Sequence, residues 1–500
     1  MWDPHYLLQT RFYISENMWL IVILLLLLFL ALLDTRRPKN FPPGPAWFPI
    51  IGCAWQIQKL CRQTGSLSKA VLPLVAEYGP LIGARIGRER VVIVCGLQQI
   101  LEMFGRDELN GRPKGILSDS RTGGKRKGIV FNDSQTFQEH KKFVLRHLKD
   151  SKEIMEEAIH SELREINEDL TKRCKKNGTV PIDSLFGIPL LNMLWSLMAG
   201  RKRPLEDFEV NELLSIMEDF SLCGSLSGTS FSNFPFMKYL CPNYSGYNTY
   251  VDVHKRIINF VRERVEELRG SGANPGLIHA YLATLNSREK KDSFSEEQLL
   301  AVCMDLFIAG FETTYNTLQF FMSYIVLHQD VQTKAQKEID CVVGRRRAVT
   351  LDDKPRLPYV ESVVLESMRL FAGRGFLVPR RATQDTTFYG YFIPKDTILL
   401  GNSRGTLMDS KAGWKNPSAF DPDRYIKDGS LNVPSSFVIF GLGKRRCLGE
   451  ILAKANLFLI VANMLQTFSF KAAPGSQQQV EVVEGFTPGV KPFNALVTIR

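Results

Sequence analysis

Phe440-Gly-Leu-Gly-Lys-Arg-Arg-Cys447-Leu-Gly-Glu450 is the stretch whose reading decides the fold. Its spacing, Phe440-x-x-Gly443-x-Arg445-x-Cys447-x-Gly449, sets an aromatic ring, two glycines, an arginine and a cysteine in one short loop. A loop at 431–436 precedes it, and an apolar helix is expected from Glu450 to about Thr467. A thiolate at Cys447 would lie at that helix's N-terminus. Peptide dipoles and the cations Lys444, Arg445 and Arg446 are expected to lower its pKa. Gly443 and Gly449 would let the backbone approach something flat and aim N–H groups at the sulfur. The plainer reading, a buried cysteine in a glycine turn, usually wins for a lone cysteine.

Working outward, Ser295-Glu-Glu-Gln298 reads as a capping box opening a helix from Glu296 to about His328, about 50 Å long. It carries Ala309-Gly310-Phe311-Glu312-Thr313-Thr314. Small residues there would let the helix approach a cofactor. Thr313 is suited to hydrogen-bond a bound oxygen and Glu312 to relay protons. A helical threonine more often just back-bonds to the preceding turn. Asp305, one turn earlier, reads as structural. Glu366-Ser-Met-Arg369 places opposite charges at i and i+3, a pair worth little if exposed. Leu81 to Val94 alternates around Gly87-Arg88 and reads as a β-hairpin.

These motifs, in this order and at these separations, resemble the microsomal cytochrome P-450 family over nearly everything after residue 52, and within it the animal members, insect ones included. The resemblance implies a mainly α fold with a smaller β region. It makes Cys447 the axial thiolate of haem b, in a loop shaped by Phe440, Gly443 and Gly449. Arg445 would pair a haem propionate, with Arg112, Lys141 and Arg380 as further propionate contacts. Ala309, Gly310, Glu312 and Thr313 would form the oxygen-activating segment. Glu366, Arg369 and Arg424 of Pro422-Asp-Arg-Tyr would form a buried ionic core under the haem loop; breaking one partner should cost roughly 3–5 kcal/mol. Phe137-x-x-x-Lys141 departs from the family's usual Trp and Arg. Lysine keeps the charge without the bidentate fork, so a weakened propionate contact is expected, with Lys142 as a substitute. In Gly373-Arg374-Gly375-Phe376 a glycine stands where relatives usually have proline at 375. Arg374, Phe376, Phe311 and Ala309 are expected at the substrate pocket, with Arg374 binding a substrate carboxylate or else facing the surface or a propionate. The loop from Gly111 past Arg121 to Lys127, the aromatic stretch Met217 to Tyr250 and the segment Glu484 to Val490 would cover that pocket.

Composition bounds the rest. Five hundred residues without a long linker suit one large domain. Nine scattered cysteines lack a C-x-x-C pair, which argues against zinc and against a disulfide framework. The net charge of +11 suits an acidic partner or an anionic membrane; no basic base-reading helix supports nucleic acid. Residues 18–33 form an uncharged Leu-rich run of about 24 Å as a helix, read as a transmembrane anchor slightly shorter than a usual span. Arg36, Arg37 and Lys39 after it place the bulk of the chain in the cytosol and the N-terminus in the lumen. The division expected is a lumenal tail at 1–17, the anchor at 18–33, a basic, proline-rich hinge at 34–52 and a haem-binding catalytic domain at 53–500. The sequons at Asn132, Asn177 and Asn243 would then face the cytosol and stay bare.

The implied activity is monooxygenation of a small lipophilic substrate by hydroxylation, epoxidation or N-oxidation, with dioxygen and electrons from NADPH. The chain carries no flavin or nicotinamide fingerprint, so a separate NADPH-cytochrome P-450 reductase, with cytochrome b5 as a further donor, is expected on a basic face near Lys142, Lys149, Lys444 and Arg446 at the endoplasmic reticulum membrane. Two rivals are a reductase-independent haem-thiolate isomerase or dehydratase, which Glu312-Thr313 speaks against, and a non-enzymatic haem sensor.

Overall fold

Helices carry the fold of this computed structural model, which describes residues 19, 21–150, 152–176, 178–200, 207–224, 228–269, 276–288, 291–475 and 479–500. They include α1 (Gln135–Asp150), α2 (Lys152–Lys176), α3 (Gly187–Ala199), α4 (Asp207–Cys223), α5 (Tyr247–Arg269), α6 (Glu296–Ile325), α7 (Pro358–Ala372) and α8 (Glu450–Thr467). The central element is α6, which packs against α3, α5, α7 and α8. Its buried positions fall on every face, as expected of a helix with no solvent side.

Ser295 caps α6 as expected, accepting the Gln298 N–H at 3.2 Å. The return half of the expected capping box is not made. Gln298 is buried, and its amide clasps Gly128 instead, donating to the carbonyl and accepting from the N–H, each at 3.1 Å. A buried amide takes whatever partners the core offers, and here these come from the loop before α1. The helix ends at Ile325, short of His328, whose N–H still bonds back to the Tyr324 carbonyl at 2.9 Å.

The expected hairpin is present as β1 (Leu81–Ile86) and β2 (Glu89–Val94), turning at Gly87 with φ +59°. The sheet continues with the short strand β4 (Arg380–Arg381) and with β5 (Ile398–Gly401), in the order β1-β2-β5-β4, the β2–β5 contact being parallel. A second sheet joins β6 (Phe468–Ala472), β7 (Asn494–Ile499) and β3 (Thr179–Pro181), in the order β6-β7-β3. The mainly α architecture with a smaller β region agrees with the sequence reading.

Residues 21–34 are helical, with an exposed apolar surface from Ile21 to Leu33. Among the described residues no helix is long and apolar enough to cross a membrane. Met18, the tail at 1–17 and Asn177 lie outside the described residues. The stretch 34–52 docks on the domain: Arg85 of β1 grips the Asp34 carboxylate at 2.6 and 2.9 Å, and Asp34 also accepts the Ile50 N–H at 2.7 Å.

Candidate active site

The cysteine loop turns through two left-handed glycines, Gly441 at φ +66° and Gly443 at φ +69°. Gly443 is required by the turn and by its neighbour, because a Cβ there would sit 2.8 Å from the Phe104 carbonyl oxygen. Gly449 is different: its φ is −90°, and a Cβ would meet nothing within 4 Å. It contributes through its N–H, which hydrogen-bonds Cys447. The Cys447 N–H is itself tied to the Phe440 carbonyl at 2.8 Å.

The expected lowering of the Cys447 pKa is not what the surroundings produce. Burial pushes the thiol up, only partly offset by the Gly449 N–H, Lys141 and Arg446, while Glu450 adds to the rise. Arg446 cannot give its full effect because Glu450 holds it at 2.7 and 3.0 Å.

Four cations gather beside this loop. Arg445 lies flat on the Phe137 ring, 3.6 Å from its centroid, and donates to the carbonyls of Asn110 at 3.1 Å and Asn132 at 2.8 Å. Arg112 donates to the carbonyls of Val130 and Pro379, each at 2.8 Å, and of Val378 at 3.3 Å. Arg380 sits over Phe104, 5.2 Å from its centroid, and bonds the Asn110 side chain. Lys141 donates to the Lys444 carbonyl at 2.6 Å. None of the four pairs with a carboxylate among the described residues. The nearest one, Asp133, is taken by Arg381 at 2.5 Å and Arg126 at 3.3 Å. Burial followed by mutual repulsion pushes Arg380 down to about 9. Burial, with Arg126 adding repulsion and Asp133 opposing, brings Arg445 to about 10. Buried cations without counter-ions are costly, so this cluster fits a ligand that brings anionic oxygens with it.

A second arginine cluster lies below the loop and is fully paired. Glu366 holds Arg369 at 2.7 and 2.8 Å and Arg424 at 3.1 Å. It also accepts from the Asp421 N–H at 3.0 Å and the Tyr425 hydroxyl at 3.2 Å. Arg369 spends its other donors on the carbonyls of Leu407, Pro417 and Ala419. Tyr425 stands edge-on to Phe437, three residues before Phe440, with 5.9 Å between centroids.

Ile308, Ala309, Glu312 and Thr313 of α6 line a cavity of about 220 Å³. Thr313 donates to the Ala309 carbonyl at 2.7 Å. Glu312 is buried and held by Asn316 at 3.2 Å and the Thr487 hydroxyl at 3.1 Å, with Ser221 of α4 as a third donor. Burial raises its carboxyl pKa against these donors.

A family profile described as Cytochrome P450 matches residues 42–494. Among curated proteins, the fruit-fly (Drosophila melanogaster) "Probable cytochrome P450 303a1" is 35% identical over 93% of this chain and 95% of that protein. The silkworm (Bombyx mori) "Farnesoate epoxidase" is 31% identical over 96% and 98%, respectively. The mouse (Mus musculus) "Cytochrome P450 2J5" is 30% identical over 90% of each. The chain belongs to the cytochrome P450 family. It is therefore an oxidoreductase of the monooxygenase type, and its cofactor is haem b held through a cysteine thiolate.

Against that identity, several expected site residues of this P450 stand elsewhere. Gly310 serves helix packing as well: a Cβ there would meet Leu194 of α3 at 2.7 Å. Arg374 is turned away from the cavity, donating to the Tyr324 hydroxyl at 2.5 Å and stacking over Phe320. Phe311 is buried against Tyr315, with ring centroids 5.4 Å apart, and Phe376 bridges to Asn402 and packs on the sheet. None of these three lines the cavity. Lys142 faces the outer groove, not the propionate side. Sequence reading missed Ser221, Asn316 and Thr487 around Glu312; a polar residue one turn after Glu312 was the only signal. Phe486 and Thr487 do reach the cavity, as expected of the last loop.

Proposed function

We propose that this P450 inserts one oxygen atom of dioxygen into a small lipophilic substrate, with Cys447 as the residue whose thiolate would hold the haem and with electrons from NADPH through a separate reductase. The observation that supports the placement is the set of four cations beside the cysteine loop, none of them paired with a carboxylate among the described residues. Arg112, Arg380 and Arg445 would hold the haem propionates, with Phe137 as the platform on which Arg445 lies. Lys141 acts through Lys444, tying α1 to the cysteine loop. Haem, when bound, supplies oxygen activation, with the thiolate pushing electron density toward the iron.

The chain's own residues supply position and protons. Thr313 presents its hydroxyl at the cavity wall, the proton resting on the Ala309 carbonyl, so its lone pairs are open to accept a hydrogen bond. Glu312, with its pKa raised and its oxygens held by Ser221, Asn316 and Thr487, is poised to take up and release a proton behind it. The apolar walls of the cavity, including Ile57, Val91, Phe131, Phe220 and Phe486, exclude water and suit hydrocarbon. Hydroxylation, epoxidation and N-oxidation all use this arrangement; the name of the silkworm relative speaks for epoxidation of an isoprenoid in that protein.

The electron donor would dock on an open groove of about 540 Å³ lined by Lys141, Lys142, Arg146, Lys149 and Lys444. This cationic face lies directly behind the cysteine loop and fits the acidic NADPH-cytochrome P-450 reductase, or cytochrome b5. The membrane face would be apolar. Phe48, Ile50 and Phe236 are exposed around Gly87, whose N–H bonds the Ile51 carbonyl and whose Cα abuts the Asn233 carbonyl. With the apolar helix at 21–34 this surface suits single-pass attachment to the endoplasmic reticulum, N-terminus lumenal. Asn132 is buried, consistent with a sequon that stays bare.

Mass-spectrometric product analysis in membranes with reductase, with and without NADPH, tests this reading. NADPH-dependent gain of one oxygen is expected. Products formed without NADPH would overturn it in favour of a rearranging enzyme.

A further inference from the structure

A buried arginine reaches the cavity wall from the loop before α1. Arg121 is 4% exposed and lines the cavity with Asp305 of α6. Its Nη2 lies 2.5 Å from the Asp305 carboxylate. Its Nε donates to Nε2 of His254 at 3.3 Å. Nδ1 of His254 in turn meets the Tyr250 carbonyl at 2.7 Å, which fixes the tautomer with the proton on Nδ1. Burial, with Arg121 adding to it, pushes the His254 imidazole down to about 3, so it is a neutral acceptor. Phe131 stacks under the guanidinium, 4.8 Å from centroid to carbon. Two of the three nitrogens are thus committed. Nη1 makes no hydrogen bond among the described residues.

Asp305 needs nothing more from Arg121. Its second oxygen accepts the N–H groups of Ile129 at 2.6 Å and Val130 at 2.8 Å. The other cation lining the cavity, Lys114, is half exposed and pairs with Asp396 at 3.4 Å. Arg121 is therefore the buried cation with spare donor capacity on a wall that is mainly apolar.

We propose that Nη1 of Arg121 is a substrate-positioning donor, and that it selects lipophilic molecules carrying a neutral carbonyl oxygen, such as an ester or ketone, over both plain hydrocarbons and free carboxylates. This deepens the monooxygenase reading and rests on it. A hydrocarbon leaves the donor unsatisfied. A carboxylate would bring an uncompensated charge into a low-dielectric wall beside Asp305, which already neutralises the guanidinium. A carbonyl oxygen satisfies the donor without adding charge. This assigns to Arg121 the polar recognition that the sequence suggested for Arg374.

The test compares three probes, methyl octanoate, decane and octanoate, near neutral pH. Headspace partitioning reads the two volatile probes and equilibrium dialysis the acid. The wild-type protein is set against Arg121→Met/Asp305→Asn, which removes both charges together, and Arg121→Lys, which keeps the ion pair but lacks the fork. A charge-assisted bond is worth about a factor of ten. The ester-to-decane affinity ratio should therefore fall about tenfold in the double variant, with decane unchanged, and should fall in Arg121→Lys as well. Should the double variant not fold, Arg121→Lys decides alone. An unchanged ratio in a folded variant, or octanoate binding more tightly than the ester, overturns the proposal. Carbon monoxide difference spectra of the same samples separate this from the haem assignment. A wild type without the thiolate signal indicts Cys447 while the probe ratio is still read.

Discussion

Two buried arginine clusters flank the cysteine loop, and they are built on opposite principles. Around Glu366, every charge has its counter-charge and every donor an acceptor. Around Arg445, three arginines and Lys141 face one another with backbone carbonyls as their main partners. Both are costly to bury, but only the first is complete within the chain. A closed cluster suits a scaffold; an open one of a single sign suits the anionic ligand proposed for it.

Mutation should separate the two sharply. Glu366→Ala leaves Arg369 buried and unpaired, and the folded state should lose about 3–5 kcal/mol. Denaturant titration of the apoprotein would show this as a lower midpoint, and haem incorporation should fall with it.

A buried charge of a third kind sharpens the contrast. Among the described residues Glu162 of α2 has no counter-ion, only the Asn192 amide at 3.2 Å. Burial raises its carboxyl from 4.5 to about 7, with Glu165 adding to the rise and Asn192 opposing it. The folded state thus holds this proton more tightly than the unfolded state. The associated stability is full below about 4.5 and is lost as pH rises through 7. The loss should be roughly 1–3 kcal/mol. Glu162→Gln should flatten that part of the stability-against-pH curve; an unchanged slope would show that the carboxyl is not responsible.

The open cluster should answer in the other direction. Arg380→Met keeps the apolar stem over Phe104 and removes one of the repelling cations. The apoprotein should melt no lower than wild type, while haem transfer to an acceptor globin should quicken by about tenfold, the loss of one charge-assisted bond. Destabilised apoprotein with unchanged haem transfer would class Arg380 with the scaffold. The smallest expected effect is that of Arg374→Ala. Since Arg374 bonds Tyr324 outside the cavity, affinity for acidic and neutral ligands alike should stay within about twofold.

What the sequence displayed and what it hid follow the same division. The Cys447 loop, the cap at Ser295 and the hairpin at Gly87 are local, so short-range chemistry made them legible. The pairing of Glu366 with Arg424 was legible only through family resemblance, because those residues are far apart in the chain. Side-chain direction was not legible. Gln298 reads as the return half of a capping box and serves Gly128 instead; that Gly310 makes room for Leu194 is equally invisible in sequence. At Cys447 the adjacent cations are visible in sequence, and the desolvation that opposes them is not.

The central claim, that Cys447 is the haem ligand, is tested most directly by the carbon monoxide difference spectrum of the reduced protein. Wild type should give the thiolate-type band, and Cys447→Ala should lose it while the other cysteines remain. A thiolate-type band surviving in Cys447→Ala, or its absence from haem-loaded wild type, would contradict the account.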